Sequence, residues 1–205
     1  WQSQQPMMPN SRYTVSSSQQ VHMVEEAPTT WAGLALVVGP GGIGAAVAAE
    51  LKRTCPDLKV LTAGRHGPPA SSLQLDLQND SDLDGLSSSL RAQGLPLRLM
   101  FNCSGRLHGP GLQPEKRLQQ IDRSQLEQQF GINAMAPILL AKAIEPLLQR
   151  DQPFHFASLS ARVGSIGDNR TGGWYGYRAA KAAQNQLLRC LSIEWARRWP
   201  LVTVS

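Results

Sequence analysis

Leu34-Ala35-Leu36-Val37-Val38-Gly39-Pro40-Gly41-Gly42-Ile43-Gly44 is the stretch that decides the fold. The aliphatic run reads as a short strand, the glycines as a tight turn, and the alanine-rich segment up to Leu51 as a helix. That order puts a GxGxxG pattern, Gly39, Gly41 and Gly44, where a phosphate-binding loop needs it. Glycines let the main chain approach a pyrophosphate, and the unpaired N–H groups of a helix start carry partial positive charge. In a chain with 18 glycines the same pattern also fits a turn that merely needs positive φ angles, so the loop alone leaves both readings open.

Working outward, further aliphatic runs at 58–62, 73–77, 97–101 and 154–158 predict strands, and 201–205 begins another. Between them lie a polar helix-like stretch reaching Ala92, a helix over 124–150 with Asp122 or Ser124 as its N-cap, and a last helix over 175–199. Strands alternating with helices, each strand ending in Gly, Asn or Ser, predict an α/β fold. Its doubly wound parallel sheet should bind a ligand at the carboxyl ends of the strands. The chain of 205 residues suits one such domain, taken here as 31–205. The segment 1–30 is expected to be a disordered polar extension, because its first twenty-two residues are rich in Gln and Ser with almost no aliphatic content. Met23 is a candidate true start. A Ser-rich, acid-poor transit peptide is the alternative, although Arg12 alone supplies positive charge.

Composition narrows the function. Hydrophobic residues at 41% place the chain among globular proteins, and the longest apolar run, 32–38, falls far short of the roughly 18 to 20 residues of a membrane span. No membrane association is expected. Cys55, Cys103 and Cys190 are too few and too scattered for a disulfide framework or a zinc site, which favours a cytoplasmic setting and no metal. The net charge of +5 is spread along the sequence without basic-aromatic interleaving, so no nucleic-acid partner is expected.

Two further features carry chemistry. Where an NAD-specific protein would set an acid against the ribose 2′-hydroxyl, this chain has Gly64 and then Arg65, whose guanidinium suits a 2′-phosphate or is simply a solvated surface arginine. Tyr177 and Lys181 stand four apart on a predicted helix and therefore share a face. A phenol with pKa near 10 serves as proton donor and acceptor at neutral pH only if that value is lowered, which a nearby ammonium favours. A structural tyrosine beside a solvated lysine has the same spacing.

Seven motifs in order give the chain a family resemblance: GGIG at 41–44, AGR at 63–65, LDL at 75–77, NCSG at 102–105, INAMAP at 132–137, SLSARVGSIGDN at 158–169 and GGWYGYRAAKAA at 172–183. From about Leu34 onward the chain resembles the short-chain dehydrogenase/reductases, most closely their small C-factor-like branch. The resemblance implies a Rossmann-type three-layer sandwich, apparently truncated before its last strand, and an oxidoreductase that interconverts a carbonyl and an alcohol. It implies Tyr177 as proton donor, Lys181 as the residue that holds the nicotinamide ribose and lowers the tyrosine pKa, and Asn133 as a member of a water-linked proton relay. Gly39, Gly41, Gly42, Ile43 and Gly44 would hold the pyrophosphate, Asp76 and Leu77 the adenine, and Asn102 and Gly105 the cofactor flank. NADP (NADPH) is the expected cofactor, with NAD as the alternative. The implied substrate is a small-molecule carbonyl or alcohol compound, and the implied assembly a homodimer or homotetramer.

Two departures stand out. Pro40 removes one N–H donor from the loop, and the position of the family's catalytic serine is Ala161, which leaves Ser160, with Ser165 behind it, as the substitute. A weakly active or inactive cofactor-binding signalling module of C-factor type is the alternative function.

Overall fold

The computed structural model describes residues 31–66 and 72–205. The segment 1–30, including Met23, lies outside them. β1 (Gly33–Val38) runs through the middle of the sheet, and its side chains show why: Leu34, Leu36 and Val38 enter one core while Ala35 and Val37 enter another, none more than 1% exposed. A strand that needs cover on both faces belongs inside a parallel sheet. Its neighbours are β2 (Leu58–Gly64) and β4 (Leu97–Asn102). With β3 (Leu73–Gln74), β5 (Phe154–Ser158) and β6 (Val202–Val204) they form a six-stranded, all-parallel sheet in the order β3-β2-β1-β4-β5-β6.

α2 (Asp80–Arg91), α4 (Ala136–Ile144) and α5 (Tyr175–Arg198) cover the Leu34 face through Leu83, Leu86, Leu140, Ile144, Leu188 and Leu191. α1 (Gly42–Thr54) covers the other face, where Ala48 joins Ala35, Val37, Val60 and Leu99. The result is the expected three-layer α/β sandwich. At its far edge the buried Trp195 meets Phe154, Phe156 and Trp199 edge-on, with ring centroids 6.1 to 6.3 Å apart. Such aromatic pairs each contribute about 0.5–1.5 kcal/mol beyond burial.

The elements depart from expectation in instructive places. β3 is two residues long, because the Asp76 N–H donates to the Asp82 carboxylate at 2.8 Å and the Gln78 N–H to Asp76 Oδ1 at 3.0 Å, so side chains take over from a strand partner. The helix expected over 124–150 is α3 (Arg123–Phe130), capped by Asp122 on the Gln125 N–H, then a π-helical turn Gly131–Met135, then α4. It tightens into a 3₁₀ turn at Glu145–Leu147, where Pro146 lacks the N–H to continue. Counted as one, Arg123–Leu147 is long and apolar enough to cross a membrane, although polar residues interrupt it and no unbroken apolar run marks it in the sequence. Ala136, Leu140, Ala141 and Ile144 nevertheless lie fully buried, with Leu140, Ala141 and Ile144 in the core against the sheet.

Candidate active site

The order of strands turns between β1 and β4, and a crevice opens beyond their carboxyl ends, as a doubly wound sheet requires. Gly39 ends β1 there with φ +81°, and a Cβ on it would lie 2.9 Å from the Ser104 backbone nitrogen. Gly44 is pressed harder: its Cβ would stand 2.1 Å from the Gly39 carbonyl oxygen. These two glycines let the turn close. Gly41 and Gly42 are different, since a Cβ on either would meet only open space. They leave bare the start of α1, whose first turn carries no side-chain cap and no acidic residue. An uncapped start of a 13-residue helix, walled by glycine, fits a phosphate group.

A groove of about 490 Å³ runs from this loop along the strand ends, lined by Gly39, Pro40, Gly41, Arg65, Asp76, Leu77, Gly105 and Ile132 among others. Ile43 projects into solvent beside it, 63% exposed. Arg65 is exposed and makes no hydrogen bond or ion pair among the described residues, while Asp76 uses one oxygen on the Gln78 N–H. Pro40 explains the missing acid at the end of β2. A Cβ on Gly64 would lie 2.8 Å from Pro40 Cδ and 3.0 Å from Cγ, so the proline ring occupies the space a carboxylate there would need.

Gly105 joins the groove to Asn133 and Lys181, because a Cβ on it would lie 3.2 Å from Asn133 Oδ1 and 3.5 Å from Lys181 Nζ. Behind Gly105 the polar side chains are buried and paired. Lys181, 3% exposed, donates to the Leu159 carbonyl at 2.9 Å and to Gln184 Oε1 at 2.8 Å, which leaves one of its three N–H groups for a ligand. Gln184 donates to Ser158 Oγ at 3.0 Å, and Asn102 donates to the same hydroxyl at 2.9 Å. Asn102 Oδ1 accepts from the Ser104 N–H at 3.1 Å, so it ties β4 to β5 from beneath the groove. Asn133 lies in the π-helical turn. Its side chain donates to the Arg106 carbonyl and to Gln129 Oε1 and accepts from the Arg106 N–H, so any part in a relay falls to its main chain.

Tyr177 and Lys181 both project from the first two turns of α5. Burial pulls the Lys181 ammonium down to about 8 and pushes the half-buried Tyr177 phenol above its ordinary value. The expected lowering of the tyrosine by the lysine has no counterpart here, where desolvation raises the phenol. Ala161 precedes a 3₁₀ turn, Arg162–Gly164, and offers no hydroxyl. The exposed Ser160 donates to Asn185 Oδ1 at 2.6 Å, and the Ser165 hydroxyl accepts the Asp168 N–H at 3.4 Å. Sequence reasoning missed Gln129, which carries no local pattern, and the role of Ser158, which opens the SLSARVGSIGDN stretch. It also missed Gln184, although its position one turn beyond Lys181 was a usable signal.

Comparison with known proteins agrees with this fold. The family described as enoyl-(acyl carrier protein) reductase matches residues 37–199. The 1-hydroxy-2-glutathionyl-2-methyl-3-butene dehydrogenase of Rhodococcus is 29% identical over 113 residues, 55% of this chain and 46% of that protein. The C-signal protein of Myxococcus xanthus is 34% identical over 77 residues, 38% of this chain and 46% of that one. The chain thus spans about half the length of these curated relatives. In three dimensions an NADPH-bound carbonyl reductase from chicken fatty liver superposes with a TM-score of 0.69 at 21% identity, covering 83% of this chain and 73% of that one. The fold, the motifs and the family match lead to one assignment: the chain belongs to the short-chain dehydrogenase/reductase family.

Proposed function

We propose that this chain forms the core of an NADP(H)-dependent oxidoreductase that interconverts a small-molecule carbonyl and alcohol, with Tyr177, Lys181 and Asn133 as its working residues. The observation that carries the reading is Gly105. A Cβ on it would meet Asn133 Oδ1 and Lys181 Nζ, and it lines the same groove as Arg65, which has no partner among the described residues. The NADPH-bound state of the carbonyl reductase named above supports the choice of cofactor. The residues fit the dinucleotide: Gly41, Gly42 and the α1 start hold the pyrophosphate, Arg65 the 2′-phosphate, Asp76 and Leu77 the adenine, and the free N–H of Lys181 the nicotinamide ribose. When bound, the nicotinamide supplies the hydride. Tyr177 donates the proton to the carbonyl oxygen, and its raised phenol keeps that proton at neutral pH. Asn133 holds the π-helical turn on which the relay depends.

Calorimetric titration of the folded chain with NADPH and NADH tests this. Tight NADPH binding with much weaker NADH binding is expected, and no binding of either overturns the reading.

Ala161 favours a second reading, a cofactor-binding signalling module with weak catalysis, because the site lacks the hydroxyl that would stabilise a developing oxyanion. Such a donor is worth about 3 kcal/mol. A large gain in carbonyl reduction in A161S, with Ser160 untouched, favours that module. High turnover with alanine in place favours the enzyme.

A further inference from the structure

Glu115 belongs to none of the motifs and lies in the segment between β4 and α3, yet it is only 4% exposed. A buried carboxylate is costly unless its oxygens are engaged. Both are: Oε1 and Oε2 each lie 3.3 Å from the Gly176 nitrogen, whose N–H donates to them in the first turn of α5. The main-chain carbonyl of the same residue accepts the Trp174 N–H. Glu115 therefore grips Trp174 and Gly176, on the two sides of Tyr175, at once, and Gly176 directly precedes Tyr177.

The gripped turn would not hold its shape unaided. Trp174 has φ 52° and ψ 43°, the one non-glycine residue with positive φ among the described residues, following Gly172 and Gly173 at φ 62° and 66°. A bulky side chain in the left-handed region is strained and persists only where its surroundings over-determine it. No side chain of Trp174 caps the helix, so the Glu115 carboxylate takes the place of an N-cap from 61 residues away. Gly176 is also tightly packed, since a Cβ on it would fall 3.0 Å from Glu115 Oε1 and 3.2 Å from Gln129 Cγ. Gln129 in turn accepts from Asn133 at 2.6 Å. Gly176, held by Glu115, thereby seats the start of α5 against Leu126 and Gln129 of α3, the helix that leads into the Asn133 turn.

We infer that Glu115 is a positioning residue for Tyr177: its carboxylate sets the phase and tilt of the first turn of α5 and so aims the phenol at the groove. This rests on the oxidoreductase reading of Tyr177. The test compares the full chain with E115Q and E115A, using NADPH and 4-nitrobenzaldehyde for turnover, titration for NADPH affinity, thermal melting, and amide exchange over residues 174–178. Misplacing a catalytic group by about 1 Å costs on the order of 100-fold, so E115A should lose kcat by about that factor while NADPH affinity stays within about threefold. E115Q, which keeps an accepting oxygen, should recover most of the loss, and only E115A should lose exchange protection at 174–178. The inference is overturned if E115A keeps its kcat, if E115Q is as impaired as E115A, or if kcat, NADPH affinity and melting temperature fall together. No turnover in the unaltered chain would instead strike the functional reading. Exchange then decides alone: unchanged protection in E115A overturns the clamp, and loss confined to 174–178 upholds it.

Discussion

Around Gly39–Gly44 the site is shaped by side chains that are absent, whereas around Lys181 it is shaped by polar side chains that are buried and paired. The loop gets its form from two glycines with no room for a Cβ, and its proposed binding surface from two others that face open space. The other half depends on Lys181, Gln184, Ser158, Asn102 and Asn133, each satisfied by a partner within 3.0 Å. A bare helix start binds whatever anion fits it and tolerates change poorly only where atoms would collide. A buried polar network tolerates change poorly everywhere, because each member left alone costs about 1–3 kcal/mol.

Four substitutions or conditions would sharpen or break this contrast. Tyr177→Phe removes the proton and little else, so turnover should fall on the order of 1000-fold while NADPH affinity, measured by titration, stays nearly unchanged. Equal losses in both would merge the two halves into one functional unit. Gly44→Ala should act in the opposite sense. Its Cβ at 2.1 Å from the Gly39 oxygen forces the loop open, and NADPH affinity should drop about 100-fold, as overpacking by about 3 kcal/mol would predict. Arg65→Ala should weaken NADPH about tenfold and leave NADH alone in the same titration, because an exposed arginine on a phosphate contributes about 1–2 kcal/mol.

The smallest effect concerns pH. Lys181 titrates at about 8 in the fold and near 10.4 in an unfolded chain, so between those values the unfolded chain holds a proton that the folded one has released. Lys181 therefore costs stability below pH 8, and that cost is relieved as the pH rises toward 10. Urea unfolding of the chain and of Lys181→Met at pH 7.5 and 9.5 should show the difference between them moving in favour of the lysine protein at the higher pH. The comparison with the variant cancels the burial of the Cys103 thiol and the Tyr177 phenol, whose raised values act the other way.

The legibility of the two halves differs for the same reason. β1, the loop and α1 are contiguous, so alternation and glycine spacing reveal them directly. Tyr177 and Lys181 are one helical turn apart and were found together. Asn102 and Ser158 are 56 residues apart, Glu115 and Gly176 are 61, and no local period connects either pair. The π-helical turn at Asn133 and the early end of β3 also depend on partners elsewhere, Arg106 and Asp82.

Local periodicity and short-range spacing, which act within single elements, reveal the α/β class, the parallel sheet, the glycine-rich turn between β1 and α1 and the shared helix face of Tyr177 and Lys181. Only the tertiary structure decided which buried groups support that pair, how Pro40 keeps the end of β2 free of an acid, and how Glu115 holds the start of α5. Those contacts exist only when distant segments are brought together, and their energies come from desolvation and close approach that no single segment contains.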